Sequence, residues 1–421
     1  MNITLNKPQP HGRICAIPSK SYAHRMLICA ALSENGNTVL DCPALSRDIT
    51  STVDCLRVMG SLIERVGSKY IINPIRFGEK ESSLPCSESG STLRFLIPVT
   101  AALGIDADFI PEGRLSSRPL SPLDSELERH GTAVTNSGGK ISVRGKLTGN
   151  RFEIDGSISS QFITGLLLAI PLISPDGGTL TVTGKVESKP YIDITTEIMR
   201  RFGIGVNESG GVYTVSGKYT TPGELAAEGD WSNAAFMLCA GALSSGGITV
   251  DGLEPGSRQG DRAVFSILEI FGASCSSSGS SFNVRHGKLH GITIDAGDIP
   301  DLVPVISVTA AGADGITHIK NCRRLRLKES DRVEAIRDML TSLGGDVIID
   351  DDDIIIRGRG KLRGGTVNSC NDHRIVMSAA VASIICEEDV TIVGCEAAAK
   401  SYPGFFDDFA SLNDKQARCK L

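Results

Sequence analysis

The chain repeats one pattern six times, in which a short polar or glycine-containing head precedes an almost wholly apolar, alanine-rich run of helical length. The heads begin at positions 19, 90, 159, 230, 299 and 371, so they lie 69 to 72 residues apart. A helix that is apolar on nearly all sides must be buried. The repeat therefore predicts six buried helices, within residues 23–32, 93–103, 162–173, 234–243, 302–311 and 375–385.

A second element recurs in phase with the first, namely an amphipathic helix that ends at a glycine and is followed by two short alternating strands. Glycine suits this place because a helix commonly ends in a left-handed residue. These outer helices, such as 334–343, carry charge on one face. The recurring glycines are Gly60, Gly131, Gly203, Gly272 and Gly344.

The repeat count predicts an α/β fold of two similar domains, each with three buried helices walled by sheets. The sixth repeat stops after residues 405–412 without its two strands, whereas the chain begins with strand-like segments at 3–5 and 13–17. We therefore predict one continuous domain of residues 14–227 and one discontinuous domain of residues 1–13 and 228–421. The crossovers are expected near residues 13 and 228.

Composition limits the classes of partner. A net charge of −6 argues against a nucleic-acid coat, and no apolar run is long enough to span a bilayer, so neither nucleic acid nor membrane is expected as a partner. The 12 cysteines are scattered singly, without a metal-ligand grouping, and we expect no metal and no cofactor. Residues 1–10 lack the pattern of a signal peptide, so a cytoplasmic location is expected.

The six polar heads are candidates for an anion site. The first backbone N–H groups of a helix are unpaired, and together with the helix dipole they attract negative charge. If the buried helices run parallel, three heads converge in each domain, and two facing domains would aim six of them at an interdomain cleft. Serine, aspartate and asparagine are also common helix caps anywhere, so a single head has an ordinary structural explanation.

Basic residues inside or beside the heads favour a ligand. Lys20, Arg25, Arg94 and Arg374 lie in apolar helices, where a charge is costly unless an anion or a partner meets it. One such arginine alone is more often paired structurally, but several together indicate a ligand. Three charged loops add to the set, although each alone is more often a solvated loop: 112–119 with Arg114 and Arg118, 326–332, and 399–404 with Lys400.

Taken together, these stretches resemble the 3-phosphoshikimate 1-carboxyvinyltransferase (EPSP synthase) family, from Lys7 to Phe409. No single motif is decisive, but the combination is specific. The matching runs are Pro18-Ser19-Lys20-Ser21 with Arg25, Ser89-Gly90-Ser91-Thr92-Leu93-Arg94, Ser159-Ser160-Gln161-Phe162, Ser188-Lys189-Pro190-Tyr191-Ile192-Asp193, Lys328-Glu329-Ser330-Asp331-Arg332 and Asn371-Asp372-His373-Arg374.

The resemblance implies two substrate sites and no metal. Arginine can grip a carboxylate or a phosphate with two parallel hydrogen bonds, which suits a small ligand that bears both groups. The implied phosphoenolpyruvate site comprises Lys20, Gly90, Arg118, Gln161, Arg332, Arg374 and Lys400. The implied shikimate 3-phosphate site comprises Lys20, Ser21, Arg25, Ser159, Ser160, Gln161, Ser188, Tyr191, Asp301 and Lys328.

The implied reaction is attack of the shikimate 5-hydroxyl on C2 of phosphoenolpyruvate with protonation at C3, followed by loss of phosphate from a tetrahedral intermediate. Asp301 is similar to the family's proton acceptor for the hydroxyl, and Glu329 is the candidate proton carrier at C3. Lys20 completes the implied catalytic set. The resemblance also implies a monomer and a place in the shikimate pathway to chorismate and the aromatic amino acids.

The chain departs from the family pattern at four places, where Arg324, Phe95, Ser91 and Glu88 replace residues common in well-known members. Gly90 is retained, which predicts sensitivity to glyphosate because an added methyl group there would crowd the phosphoenolpyruvate site.

Two alternatives remain at this point. One is the related carboxyvinyltransferase that acts on UDP-N-acetylglucosamine, which it resembles less because residues 112–119 contain no cysteine and Lys20 precedes serine rather than asparagine. The other is a non-enzymatic repeat protein that binds an anion. Such a scaffold would not need Asp301 and Glu329 as titrating groups.

Overall fold

The computed structural model describes residues 1–43, 46–76 and 81–412. The chain forms two compact units. The first unit is Lys20–Ala227, and the second unit combines Met1–Ser19 with Glu228–Leu421. Each unit has its own hydrophobic core.

The described residues contain twelve α-helices that alternate between buried and outer positions. The odd-numbered helices are buried along almost their whole length, as the apolar runs predict, and the even-numbered helices have an exposed face. In chain order they are α1 (Lys20–Leu32), α2 (Arg47–Val58), α3 (Gly90–Leu103), α4 (Leu123–Arg129), α5 (Ser160–Ile173), α6 (Lys189–Arg201), α7 (Trp231–Leu243), α8 (Ala263–Phe271), α9 (Val303–Ala311), α10 (Arg332–Ser342), α11 (His373–Ala382) and α12 (Phe405–Ser411).

The five predicted glycines follow outer helices, as the repeat predicts. Their φ angles lie between 83° and 101°, a left-handed conformation that costs glycine little and other residues much. At Gly272 an added Cβ would also lie 2.4 Å from the carbonyl oxygen of Lys288. Both backbone conformation and space therefore require glycine at this helix end.

The strands of the described residues form six sheets. In chain order they are β1 (Asn2–Leu5), β2 (Gly12–Cys15), β3 (Thr38–Asp41), β4 (Ile63–Val66), β5 (Lys69–Ile72), β6 (Glu81–Ser87), β7 (Asp106–Pro111), β8 (Ala133–Ser137), β9 (Lys140–Arg144), β10 (Arg151–Asp155), β11 (Gly178–Thr183), β12 (Gly205–Ser209), β13 (Val212–Ser216), β14 (Glu224–Ala226), β15 (Ile248–Asp251), β16 (Ser274–Ser278), β17 (Ser281–Arg285), β18 (Thr293–Asp295), β19 (Asp314–Lys320), β20 (Asp346–Asp350), β21 (Asp353–Arg359), β22 (Gly365–Asn368) and β23 (Val390–Val393).

Three sheets share one order, β6-β7-β9-β8, β10-β11-β13-β12 and β18-β19-β21-β20. The strand before a buried helix pairs in parallel with the strand after it, and the hairpin beyond the outer helix adds two antiparallel strands. Parallel neighbours require such a crossover connection, which the buried helix supplies. Each repeat is thus one sheet with one buried and one outer helix.

The two crossings between the units exchange a strand. β2 precedes α1 along the chain but pairs with β15 in the second unit, while β14 precedes α7 but pairs with β3 in the first unit. The units therefore divide between Ser19 and Lys20 and again between Ala227 and Glu228. β2 lies in the second unit because it is held by β15, and Glu228 begins the longer segment of that unit.

The last sheet is completed by the start of the chain. β1 lies antiparallel to β23, with Asn2 opposite Val393, and takes the place of the hairpin that the sixth repeat lacks. Both termini of the described chain thus belong to the second unit.

The buried helices of a unit start side by side. In the first unit the Gln161 amide, in the first turn of α5, donates to the Ser91 hydroxyl in the first turn of α3 at 3.1 Å. In the second unit the Arg374 guanidinium at the start of α11 donates to the carbonyl of Asp301, just before α9, at 3.0 Å. Helices whose first turns are neighbours and that pack together run in the same direction, which brings polar heads together.

The helices α3 and α5 approach closely because of a proline and a glycine. Pro98 in α3 has no N–H to donate to the carbonyl of Arg94, four residues earlier. Gly165 of α5 packs against that carbonyl, and a Cβ at Gly165 would lie 2.4 Å from the Arg94 oxygen. The missing side chain thus allows the two helices to meet.

We expect Gly165→Ala to lower the midpoint of thermal unfolding of the first unit, because rigid backbone must move to admit the methyl group. The free energy of unfolding should fall by about 1–3 kcal/mol. Scanning calorimetry measures this. Gly256→Ala is the control, since its nearest neighbour would be a glutamate side-chain oxygen at 3.5 Å. Equal midpoints for both variants would contradict the close-packing explanation.

No helix within the described ranges combines the length and the apolar character needed to cross a membrane. The free cysteines of those ranges are mostly buried, where a cysteine packs as a small apolar side chain.

Candidate active site

Lys20 begins α1 and is held by a carboxylate. Its Nζ lies 2.7 Å from Oδ2 of Asp48, in the first turn of α2. The α2 N-terminus is capped by Ser46, whose side chain accepts a hydrogen bond from Ile49 N. The predicted lysine is therefore oriented by a residue of the neighbouring helix that sequence reasoning did not include.

Arg25 is buried with neutral partners. It is 2% exposed, and its guanidinium donates to Thr195 Oγ1 at 2.7 Å and to the carbonyls of Ser21 and Tyr191 at 2.7 and 3.0 Å. It also lies 4.9 Å from the ring centroid of Phe95, so this departure from the family pattern provides a cation–π contact. Burial lowers the pKa of Arg25 to about 10, and the group remains charged at neutral pH.

Gly90 begins α3 close to two arginines. A Cβ there would lie 2.8 Å from Nη1 of Arg118 and 3.6 Å from Nη1 of Arg94. Arg94, 4% exposed, donates from Nη1 to Oε1 of Gln161 at 2.7 Å. The structure thus brings the predicted residues Gly90, Arg118 and Gln161 together around the first turns of α3 and α5.

The predicted serines lie at helix starts. Ser159 caps α5, since its hydroxyl accepts a hydrogen bond from Gln161 N at 3.3 Å, and Ser160 is the first helical residue. Ser188 precedes α6 with a φ of 56°, a left-handed conformation that is uncommon for serine. All three are buried, and the carbonyl of Tyr191 on α6 contacts Arg25.

Arg332 is the centre of the polar cluster in the second unit. It is 1% exposed and donates to three carboxylates: Asp372 at 2.8 Å, Asp301 at 2.7 Å and Glu329 at 2.7 Å. Burial alone would lower the pKa of Arg332, but the charges of Asp372, Glu329 and Asp301 raise it. A buried charge is tolerated when it is paired in this way.

Asp301 lies among three cations. Besides Arg332, the Arg374 guanidinium lies 3.1 Å from Oδ2, and Nζ of Lys328 lies 3.5 Å from Oδ1. Burial lowers the pKa of Lys328 to about 8, and the positive charges of Arg332 and Arg324 act in the same direction. The departure at Arg324 therefore places an additional positive charge near the predicted Lys328.

Lys400 is bound at the head of α11. It is 4% exposed, and its Nζ donates to the carbonyl of Asn371 at 2.6 Å. Asn371 has a φ of 54°, and the carboxylate of Asp372 then caps α11 by accepting a hydrogen bond from Arg374 N. Lys400, Arg332 and Arg374 thus all lie around the start of α11.

Sequence reasoning missed three carboxylates. Asp48 and Asp372 hold Lys20 and Arg332, and both could have been noticed as acids at helix starts. The third is Asp261, whose carboxylate accepts a hydrogen bond from Ser232; burial and the charge of Asp301 raise its pKa to about 7. No sequence signal connected Asp261 with Asp301.

Glu88, another departure, lies against the predicted loop 112–119, because a Cβ at Gly113 would be 2.7 Å from Oε2 of Glu88. Within the described part of the chain, no group of three or more His, Cys, Asp or Glu side chains has the arrangement of a metal site.

Comparison with known proteins gives one consistent result. The family model described as EPSP synthase (3-phosphoshikimate 1-carboxyvinyltransferase) matches residues 6–409. The chain is 39% identical to the 3-phosphoshikimate 1-carboxyvinyltransferase of Clostridium kluyveri, over 97% of each chain. It is 40% identical to that of Clostridium perfringens, over 95% of this chain and 96% of the relative.

A solved structure of EPSP synthase from Acinetobacter baumannii superposes with a TM-score of 0.79 at 25% identity and covers 97% of this chain and 96% of that one. The similarity of fold and the similarity of sequence both extend over nearly the whole chain. The predicted two-domain α/β architecture is thereby confirmed. This chain belongs to the EPSP synthase (3-phosphoshikimate 1-carboxyvinyltransferase) family.

Proposed function

We propose that this enzyme transfers the enolpyruvyl group of phosphoenolpyruvate to the 5-hydroxyl of shikimate 3-phosphate and releases phosphate, a step of the shikimate pathway. The relatives named 3-phosphoshikimate 1-carboxyvinyltransferase support this activity over nearly the full chain. The observation that carries the proposal is the second unit's cluster, in which Asp301 and Glu329 both contact the buried Arg332. An anion-binding scaffold would not need these two carboxylates as titrating groups.

The cations are assigned to the negatively charged substrates. In our proposal Lys20, Arg118, Arg332, Arg374 and Lys400 bind the carboxylate and phosphate of phosphoenolpyruvate, with Gly90 and Gln161 lining the same site. Arg25 and Lys328 provide charge for shikimate 3-phosphate. Oxygen and nitrogen contacts to this substrate come from Ser21, Ser159, Ser160, Ser188 and Tyr191, together with Lys20, Gln161 and Asp301. Holding two anions together is costly without such preorganised positive charge.

Asp301 and Glu329 are assigned to proton transfer. As the 5-hydroxyl oxygen bonds to C2 of phosphoenolpyruvate, its proton passes to the Asp301 carboxylate, and C3 receives a proton from Glu329. The tetrahedral product then loses phosphate as a proton leaves C3 again, which restores the carbon–carbon double bond. Contacts to Arg332 hold both carboxylates in fixed positions for these steps.

We further propose that the enzyme acts as a monomer in the cytoplasm. The complete set of assigned cations, hydroxyls and carboxylates within one chain supports the monomer.

We expect Asp301→Asn and Glu329→Gln to bind both substrates but to lose at least about 100-fold in turnover, because the amides cannot exchange a proton. Phosphate release measures turnover, and calorimetry measures binding. Asp338→Asn, an exposed carboxylate on α10, is the control and should be fully active. Full activity in both test variants would refute the assigned roles, and phosphate release with UDP-N-acetylglucosamine instead would favour the related transferase.

Lys328 should make shikimate 3-phosphate binding depend on pH. With a pKa of about 8, it is protonated at pH 7 and loses its charge as the pH rises through 8, while Arg25 with a pKa of about 10 remains charged to higher pH. We expect kcat/KM for shikimate 3-phosphate to fall by up to about tenfold per pH unit above pH 8. Lys328→Arg keeps its charge and should remove this decline; the same decline in both enzymes would exclude Lys328 as its cause.

Glyphosate should inhibit the enzyme in competition with phosphoenolpyruvate. In Gly90→Ala the new methyl group would lie 2.8 Å from Nη1 of Arg118, so the guanidinium must shift. We expect this variant to be less sensitive to glyphosate and to have a higher KM for phosphoenolpyruvate. Full activity of the unmodified enzyme at millimolar glyphosate with limiting phosphoenolpyruvate would contradict the prediction.

A further inference from the structure

A chain of buried hydrogen bonds crosses three helices of the first unit. Nδ1 of His24 on α1 lies 2.7 Å from Oγ1 of Thr52 on α2, which lies 2.6 Å from Oγ1 of Thr92 on α3. Thr92 Oγ1 in turn donates to Oγ of Ser89, the residue that caps α3, at 2.7 Å. His24 is 1% exposed, and the other three side chains are 0% exposed.

The hydrogen bonds from His24 to Ser89 all point in one direction. A hydroxyl carries a single hydrogen, and that of Thr92 is used in the bond to Ser89. Thr92 must therefore accept from Thr52, and Thr52 must accept from His24. His24 is thus the neutral tautomer with its hydrogen on Nδ1, and the chain runs from the imidazole to the first turn of α3.

The surroundings of His24 keep it neutral. Burial lowers its pKa well below the usual value, and the positive charges of Lys20 and Arg25 lower it further. Nε2 has no hydrogen-bond partner among the described residues. A protonated ring would place a second, unsatisfied N–H and a charge in this apolar interior. The donor role of Nδ1 is therefore stable at neutral pH.

The chain of hydrogen bonds ends at Ser89, next to the candidate phosphoenolpyruvate site. Ser89 accepts from Thr92 N as well as from the Thr92 hydroxyl, which fixes the first turn of α3 immediately before Gly90. At the other end, α2 also carries Asp48, one turn before Thr52, which holds Lys20. One face of α2 thus connects the lysine of α1 with the start of α3.

We propose that His24, Thr52, Thr92 and Ser89 form a positioning chain that sets the start of α3, and with it Gly90 and Arg94, at the distance from α1 that phosphoenolpyruvate binding requires. The role rests on the proposed function. These four residues touch no reacting atom in this proposal, and they act through the helix start that they hold. A displacement of about 1 Å in such a site can reduce activity strongly.

The shikimate 3-phosphate side is held by a separate bridge. Thr195 on α6 accepts from Arg25 Nε and lies 2.8 Å from Thr164 Oγ1 on α5, in the same arrangement as Thr52 between α1 and α3. Because Arg25 is also bonded to the carbonyl of Tyr191, breaking the His24 chain leaves its position supported. The two substrates should therefore respond differently to a break at Thr52 or Thr92.

The test is a pair of nearly isosteric variants, Thr52→Val and Thr92→Val. Each removes one hydroxyl of the chain, and we expect KM for phosphoenolpyruvate to rise about tenfold while KM for shikimate 3-phosphate changes less than about twofold. Thr52→Ser keeps the hydroxyl, so its KM for phosphoenolpyruvate should equal that of the unmodified enzyme. Thr100→Val is the matched control on α3, because Thr100 is also 0% exposed but donates only within its own helix, to the carbonyl of Ile97.

Three results would overturn the positioning role in an active enzyme. The first is unchanged KM values in Thr52→Val and Thr92→Val with only a lower unfolding temperature. The others are an equal rise of KM for both substrates, or the same rise of KM for phosphoenolpyruvate in Thr100→Val. Absence of phosphate release by the unmodified enzyme would instead overturn the proposed function. The ¹⁵N shifts of His24 provide a measurement that needs no variant. A neutral ring protonated at Nδ1 is expected, and a ring protonated at Nε2 would refute the chain.

Discussion

Arg332 carries a full positive charge at a place where water has almost no access, and three carboxylates compensate it. The positions of these carboxylates around the guanidinium determine how the second unit's site is arranged. Asp372 also caps α11, so the pairing aligns that helix, while Asp301 and Glu329 are held facing the same group. A planar guanidinium presents its N–H donors in a rigid fork, so it fixes the directions of these acids more strictly than the rotatable ammonium group of a lysine would.

In the first unit the buried Arg25 is satisfied in a different way. Arg25 is surrounded by hydroxyls, carbonyls and an aromatic ring, which satisfy its N–H groups without cancelling its charge. The net positive charge remains available to an anion. The second unit, where cations and carboxylates alternate, is suited to proton transfer as well as to binding. Two copies of one repeat architecture thus provide different electrostatic environments, and the difference lies in the partners of the buried cations.

Much of this was visible in the sequence because it depends on local pattern. The apolar runs predicted the six buried helices, and the glycines after the outer helices have the left-handed backbone that such helix ends require. The missing hairpin of the sixth repeat predicted that the start of the chain would complete the second unit, as β1 does beside β23. The cations at the heads were found because a charge in an apolar helix is unusual and calls for a partner.

The sequence by itself therefore determined the repeat, the alternation of buried and outer helices and the family to which the chain is similar. Only the tertiary structure decided that β2 pairs with β15 and that β14 pairs with β3. It also decided that Asp48 holds Lys20, that Asp372 holds Arg332 and that His24 is connected to Ser89. These contacts join residues of different helices and depend on how the helices pack, a property that no local periodicity encodes.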